Sequence, residues 1–391
     1  MRRDAPPPNR VIGLLVLVAG LGWWLLATVS VAPNRIVPGS PLRAHEAAGW
    51  PAALALVLAL AGLAALTWRP ARRRLWLALA LATLLLMALP AWLALAATSS
   101  VDPSLPQARL GLGAGFWLLL FCLSLMVIEL RTRLALGLSA GWLLVAAVVS
   151  AWWLASPWLE PLALMREYQG RSDQFAGALV YHLLLVGAAV GASLVVGALI
   201  ALAMRRHSAI ERGAFTLLNF LQTIPSLALF GLLLAPLAWL AANVGWVNAL
   251  GVRGIGWAPA FLALLGYSLL PMVRNTFVGL SGVEAGVLEA ARGMGMSRRQ
   301  VFLQVRLPLA LPVVLEGVRI TTVQAIGLAA VAALIGAGGL GTFIFQGLGQ
   351  AAMDLVLLGA LPILAMALAV DSLLGALTRR LDPRMAAGAP A

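Results

Sequence analysis

Glu289-Ala290-Ala291-Arg292-Gly293-Met294-Gly295, followed after nine further residues by Val305-Arg306-Leu307-Pro308, is a polar, arginine-bearing interruption in a very apolar chain. From Ser281 to Val305 the apolar periodicity breaks, and the residues suit two short helices lying on a membrane face. Val283 to Met294 is rich in Glu, Ala, Leu and Arg, all good helix formers. Gly293 and Gly295 allow the left-handed backbone that ends a helix, and Ser297 followed by Gln300 fits a capping box that starts the next. Pro308 and Pro312 then constrain the start of the apolar helix beyond. Glu289 and Arg292 stand at i and i+3, where they can pair across one turn. Small residues at Ala290, Ala291 and Gly295 admit close approach by a partner's backbone. The bland alternative is a solvated loop that touches nothing; the other is a docking loop.

Outward from this loop the chain is 62% hydrophobic and 10% charged, which excludes an ordinary soluble domain and predicts an all-α polytopic membrane protein. Ten apolar segments are long enough to span, at about 11–31, 50–68, 75–97, 111–130, 134–154, 177–204, 214–240, 257–280, 311–336 and 351–377. They are continuous rather than alternating, which argues against a β-barrel. The formal charge of +13 invites nucleic acid as a partner, but all 27 basic residues are Arg in short clusters between apolar runs. Such clusters are topology signals, so no nucleic acid is expected. Cys122 is the one cysteine, so the chain can form no internal disulfide or cysteine metal site; it reads as a small packing residue, and no metal is expected. Met1-Arg2-Arg3 before the run 11–31 resembles a signal peptide, but the run is long and lacks a small-x-small site, so an uncleaved first transmembrane helix is the better reading.

Arginine placement tests the count of spans. With the N-terminus inside, Arg2, Arg3, Arg10, Arg69, Arg72, Arg73, Arg74, Arg131, Arg133, Arg205, Arg206, Arg212, Arg274, Arg292, Arg298, Arg299, Arg306, Arg379, Arg380 and Arg384 are cytoplasmic, 20 in all. Arg35, Arg43, Arg109, Arg166, Arg171 and Arg253 are the six outside, and Arg319 lies within a helix. The bias predicts an N-in, C-in arrangement. The chain is expected to divide into a five-helix extension over 1–155, an external linker over 156–176 with Pro157, Glu160, Pro161, Glu167 and Asp173, and a core over 177–380 that carries the docking loop 281–309. No convincing repeat relates the halves, so the inverted-repeat logic of secondary transporters finds no support.

Several stretches together resemble the permeases of glycine betaine, choline and related quaternary-amine ABC importers. They are Thr223-Ile-Pro-Ser-Leu-Ala-Leu-Phe230, Leu269-Leu-Pro-Met-Val-Arg-Asn-Thr276, Glu289-Ala-Ala-Arg-Gly-Met-Gly-Met-Ser297, Leu307-Pro-Leu-Ala-Leu-Pro312 and Ile335-Gly-Ala-Gly-Gly-Leu-Gly341. The resemblance covers about 177–377; its one departure is Val305, where the broader family often has Ile. A permease with an added N-terminal membrane region is similar to the osmoprotectant-uptake subgroup. The resemblance implies a type I importer permease core whose loop, with Glu289, Ala290, Ala291, Arg292, Gly295, Leu307 and Pro308, inserts into a groove of a separate cytoplasmic ATPase. It also implies a periplasmic substrate-binding protein, a second copy or homologous permease, and membrane lipid around the helices. With no Lys in the chain a Walker A loop is impossible, so ATP is expected on the partner and no cofactor or catalytic residue on this chain.

The remaining candidates are weighed singly. Glu316 and Arg319, at i and i+3 near the inner end of the ninth segment, read as a structural ion pair or a snorkelling arginine, with a gate or pathway role as the rival. Asp371 pairs with Arg379 or faces water, and His182 reads as interfacial rather than as a ligand. Gly336 to Gly341, including Gly338 and Gly339, is a tight external turn or a gate, not a phosphate loop. Pro225 and Pro271 kink the seventh and eighth segments; with Asn275 they are pathway markers, plain packing being equally open. Trp23, Trp24, Trp152, Trp153 and Trp158 stand at expected helix ends as an interfacial belt, ahead of an aromatic cage for a quaternary ammonium. The rivals to an osmoprotectant importer are the same class importing an amino acid such as methionine, an ion-coupled secondary transporter, for which mid-span carboxylates are too scarce, and an intramembrane enzyme, for which no constellation is visible.

Overall fold

The computed structural model describes residues 9–68 and 71–382, and among these nine helices have the length and apolarity to cross a membrane. Arg2, Arg3, Arg69 and Arg384, which the topology argument uses, lie outside the described residues. The chain forms two compact units, one ending at Gly170 and one beginning at Arg171.

The first unit opens with α1 (Arg10–Leu25), started by Asn9, whose side chain accepts the Ile12 N–H. At 16 residues α1 is about 24 Å long, short of a bilayer's apolar thickness of roughly 30 Å. The expected segment 11–31 thus does not continue as helix. Its end is β1 (Val29–Ala32), which pairs antiparallel with β2 (Ser40–Leu42) and with β3 (Arg109–Leu112) in the order β2-β1-β3. This small sheet corrects the expectation of an all-α, five-helix extension. Glycines make it possible: a Cβ on Gly111 would stand 2.7 Å from the Ser30 hydroxyl, and one on Gly39 3.1 Å from Ser30 Cβ.

α2 (Ala44–Trp68) is interrupted at Gly49, whose φ of 80° ends a first turn before Pro51 starts the apolar stretch. α3 (Arg72–Ser100), α4 (Ala114–Arg133) and α5 (Leu138–Ala155) follow. Trp23 is fully buried, edge-on to Trp92 at 4.6 Å, and its ring N–H reaches the Ala53 carbonyl at 3.4 Å, so it belongs to the core and not to an interfacial belt. Cys122 is buried in the same core. The stretch expected as an external linker is ordered. A 3-10 turn (Ser156–Leu159) and α6 (Ala163–Gln169) send Leu159 and Leu162 into the core, and Leu110 bridges to Leu162. Buried Glu167 on α6 holds two arginines, Arg109 at 2.9 Å and Arg35 at 3.0 Å.

The second unit contains α7 (Ser172–Met204), α8 (Ser208–Thr223), α9 (Ser226–Asn243), α10 (Gly245–Ala249) and α11 (Trp257–Ser281). Then come α12 (Ala285–Gly293), α13 (Arg298–Gln300), a π-turn (Val301–Arg306), α14 (Leu307–Val331), α15 (Gly341–Gly349) and α16 (Met353–Leu381). The expected seventh segment, 214–240, is not one kinked helix but α8 and α9, separated at Ile224-Pro225. α11 lies between α7 and α14, and α16 packs on α14. Glycine permits these crossings: added Cβ atoms would stand 2.8 Å from Met272 Cγ at Gly197, 3.0 Å from the Ala310 carbonyl at Gly279, and 2.7 Å from Asn275 Cβ at Gly317.

Replacing Glu167 by Gln leaves two partly buried guanidinium groups without their carboxylate, a loss of about 3 kcal/mol. The expected outcome is a thermal transition several degrees lower, followed by tryptophan fluorescence in detergent micelles, while Glu160→Gln at an exposed site leaves it in place.

Candidate functional site

The polar interruption folds as a small body of its own. α12 ends in a Schellman motif: the Gly295 N–H donates to the Arg292 carbonyl at 2.9 Å and the Met296 N–H to the Ala291 carbonyl at 3.2 Å. Gly295 takes φ +82°, the left-handed value this cap requires, whereas Gly293 remains helical. Ser297 and Gln300 form the reciprocal capping box, with side-chain to backbone bonds of 3.3 and 2.8 Å. Leu288, Ala291 and Val301 are buried against Val283, Met296 and Val305, a miniature core that fixes α12 on the π-turn. Ala291 therefore serves the segment's own packing rather than a partner's approach. Glu289, Ala290 and Arg292 are exposed, rimmed by the exposed apolar side chains Val287, Met294 and Leu303. No ion pair joins Glu289 to Arg292 among the described residues, contrary to the sequence expectation. A pair open to water returns little against the side-chain entropy of holding it.

The second short helix expected here is not separate. Helical structure runs unbroken from Arg298 to Ile335, 38 residues. Pro308 has no N–H for the Gln304 carbonyl, and just before it the chain widens into the π-turn, where the Leu307 N–H reaches back to Phe302 O. Leu307 and Pro308 are exposed at the start of α14. What the sequence offered as a helix-turn-helix is one helix seated on the root of a long one.

Above this segment, prolines free backbone groups and side chains recapture them. α11 passes through Pro271, which cannot bond the Tyr267 carbonyl one turn back. The Gln222 amide donates to that carbonyl at 2.8 Å. In return the Tyr267 hydroxyl donates to the Ile224 carbonyl, beside Pro225 at the α8–α9 break. Asn275 donates to the Pro271 carbonyl at 2.8 Å while its Cβ lies under Gly317. Sequence reading marked Pro225, Pro271 and Asn275 but missed Gln222 and Tyr267. Tyr267, four residues before Pro271, carries the freed carbonyl and could have been marked by that spacing; no such spacing marks Gln222.

Arg319 on α14 is the hub of three charges. It grips Asp371 of α16 with two bonds, Nε to Oδ1 at 2.8 Å and Nη2 to Oδ2 at 3.0 Å, and reaches both Glu316 oxygens at 3.3 Å. Asp371 thus pairs with Arg319, not with Arg379 or with water alone. Gly375, one turn further along α16, leaves room for the guanidinium: a Cβ there would lie 3.3 Å from Arg319 Cζ. At the other end of α14, Gly336, Gly338 and Gly339 all take positive φ and bend the chain into α15. Gly338 lies against Tyr181, and Gly339 against His182, whose ring nitrogen would be 3.2 Å from an added Cβ. His182 is 1% exposed and bonds the Ile326 carbonyl through Nε2 at 3.1 Å. It is a core residue under the glycine turn, not an interfacial one.

Two family matches cover most of the chain. Residues 193–386 match the binding-protein-dependent transport system inner membrane component, and residues 9–165 match the N-terminal domain of the ABC transporter permease YehY. The chain belongs to the family of binding-protein-dependent ABC transporter permeases: it is a multi-pass transport subunit. The osmoprotectant import permease protein OsmW of Salmonella typhimurium is 39% identical over 203 residues, which are 52% of this chain and 89% of that one. The carnitine transport permease protein OpuCB of Listeria monocytogenes is 36% identical over 203 residues, 52% of this chain and 86% of that one. Among solved structures, an inward-facing MetNI methionine ABC transporter aligns with a TM-score of 0.46 at 19% identity, over 54% of this chain and 98% of its own.

Tyr267→Phe and Gln222→Leu each remove a donor to a carbonyl that a helix cannot satisfy, and each is expected to cost about 1 kcal/mol. Because both bonds belong to one clasp, the double variant departs from the sum of the singles in a double-mutant cycle read by thermal unfolding.

Proposed function

We propose that this chain is the transmembrane permease subunit through which glycine betaine or a related quaternary-amine osmoprotectant enters across the inner membrane. The substrate class follows from relatives named for carnitine, choline and osmoprotectant transport. The observation that carries the mechanism is α12: a capped helix held by its own small core, with Glu289, Ala290 and Arg292 turned outward inside an apolar rim. A separate ATPase binds that face. α12 joins α11 through residues 282–284 and rests on the root of α14, so a movement of the ATPase groove passes to both helices as a rigid displacement. The ATPase supplies hydrolysis; this chain supplies the moving path.

In this reading α1 serves as a short first span, so that the N- and C-termini and the docking segment lie in the cytoplasm, the side the arginine bias favours. A substrate-binding protein delivers cargo on the opposite side, where the turn at Gly338 and Gly339 serves as the outer gate. A second copy or a homologous permease completes the pathway. Pro225, Pro271 and Asn275 mark the flexible middle. Two carboxylates, Glu316 and Asp371, face one guanidinium, Arg319, so the cluster favours the passage of a permanent cation.

Reconstitution of the chain with its ATPase and binding protein in proteoliposomes tests both parts. Leu288→Asp unseats α12 and is expected to lower substrate-stimulated ATP hydrolysis and uptake about tenfold or more, with Arg292→Ala giving a smaller loss. Unchanged hydrolysis and uptake in both variants would sink the coupling assignment. Uptake of methionine with none of labelled glycine betaine, carnitine or choline would remove the substrate assignment and leave the coupling assignment intact.

A further inference from the structure

At the arginine-rich end of the second unit, α7 gives way to α8 through Arg205-Arg206-His207. This turn faces the root of the docking segment across a cavity of about 340 Å³, whose walls include Arg205, Arg206, His207, Ser208, Ser281 and Arg306. None of the three arginines has an ion-pair partner among the described residues. The Nε of Arg306 is buried without any hydrogen-bond partner. Glu211 is the single acidic residue in the wall, so three fixed positive charges meet one negative charge. α8, 16 residues long, starts here with no side-chain cap. Next to this polar cavity is a second one, of about 600 Å³, which shares Arg205 and Arg206 and is otherwise lined by Leu199, Leu202, Ala203 and Phe302.

Guanidinium groups and serine hydroxyls beside an apolar trough match an amphiphile with an anionic head. We propose that the two cavities form one binding site for an anionic phospholipid. Its phosphate sits among Arg205, Arg206, Arg306 and Ser208, and an acyl chain lies along Leu199, Leu202 and Phe302. A zwitterionic lipid offers the same phosphate but brings an ammonium toward three arginines, which they repel. A free phosphate would satisfy the polar cavity and leave the apolar one without an occupant. Because Phe302 and Arg306 belong to the π-turn beneath α12, the bound lipid ties the α7–α8 turn to the docking segment.

Native mass spectrometry of the full chain, released from micelles after titration with phosphatidylglycerol or with phosphatidylcholine of the same acyl chains, tests the site. Wild type is expected to retain phosphatidylglycerol in preference. Arg206→Gln, at an exposed residue, is expected to weaken retention about fivefold, and the triple Arg205→Gln, Arg206→Gln, Arg306→Gln about a hundredfold. Arg379→Gln with Arg380→Gln removes two exposed arginines from α16 and is expected to change nothing. Equal retention by wild type and the triple variant, or equal loss in the α16 control, overturns the site. Displacement of the lipid by millimolar inorganic phosphate overturns the lipid assignment in favour of a soluble anion. Phe302→Asp, which keeps every arginine, is expected to lower lipid retention; no effect there overturns the acyl-chain placement.

Discussion

The second unit depends on how closely α11 can approach its neighbours. Lipid tails are as apolar as the helix faces they would replace, so burial alone gives membrane helices little reason to associate. Close backbone approach must supply the attraction through dispersion and shape. Gly197, Gly279 and Gly317 provide it, each at a crossing where one further carbon atom would collide with the opposing helix. Asn275 shows the consequence. It sits directly under Gly317 because no side chain occupies that space, and from there it bonds the Pro271 carbonyl. The proline that weakens α11 is thus supported from within the same tight crossing.

That support follows one rule: a carbonyl freed inside a membrane must find a donor within the protein. Pro271 frees the Tyr267 carbonyl and Gln222 answers it; the break at Pro225 leaves the Ile224 carbonyl, and the Tyr267 hydroxyl answers that. The two prolines, 46 positions apart in sequence, are held by reciprocal bonds between the elements they disturb. A clasp of this kind keeps irregular backbone ordered at the place where the helices are most easily bent.

Most of the apolar runs, the polar break after Ser281 and its capping box could be read from the chain. Composition and local spacing decide those features directly. What escaped depends on partners distant in sequence. Val29-Ser30-Val31 looked like the tail of a span because valine suits either state; only pairing with β2 and β3 makes it a strand. The run 214–240 looked like one kinked helix because its apolar residues continue through Pro225. The polar Glu211, Arg212, Asn219 and Gln222 just upstream mark α8 as a separate element. For Asp371 the sequence offers Arg379 on its own helix or water, whereas its partner stands on α14. His182 was placed at a water boundary by counting residues, but the glycine turn folds back over it.

The unbroken run from Arg298 to Ile335 has a mechanical consequence. Its 38 residues extend about 57 Å at the rise of an α-helix, well beyond the apolar thickness of a bilayer. Its first residues carry the π-turn and the seat of α12. Moving as one rod, such a run couples its two ends. Tilted by about 3° around its middle, a rod of that length moves each end by roughly 1.5 Å, the end that seats α12 and the end that meets the glycine turn alike. A displacement at the seat of α12 and one at Gly336 are then parts of a single motion, with no hinge needed between them.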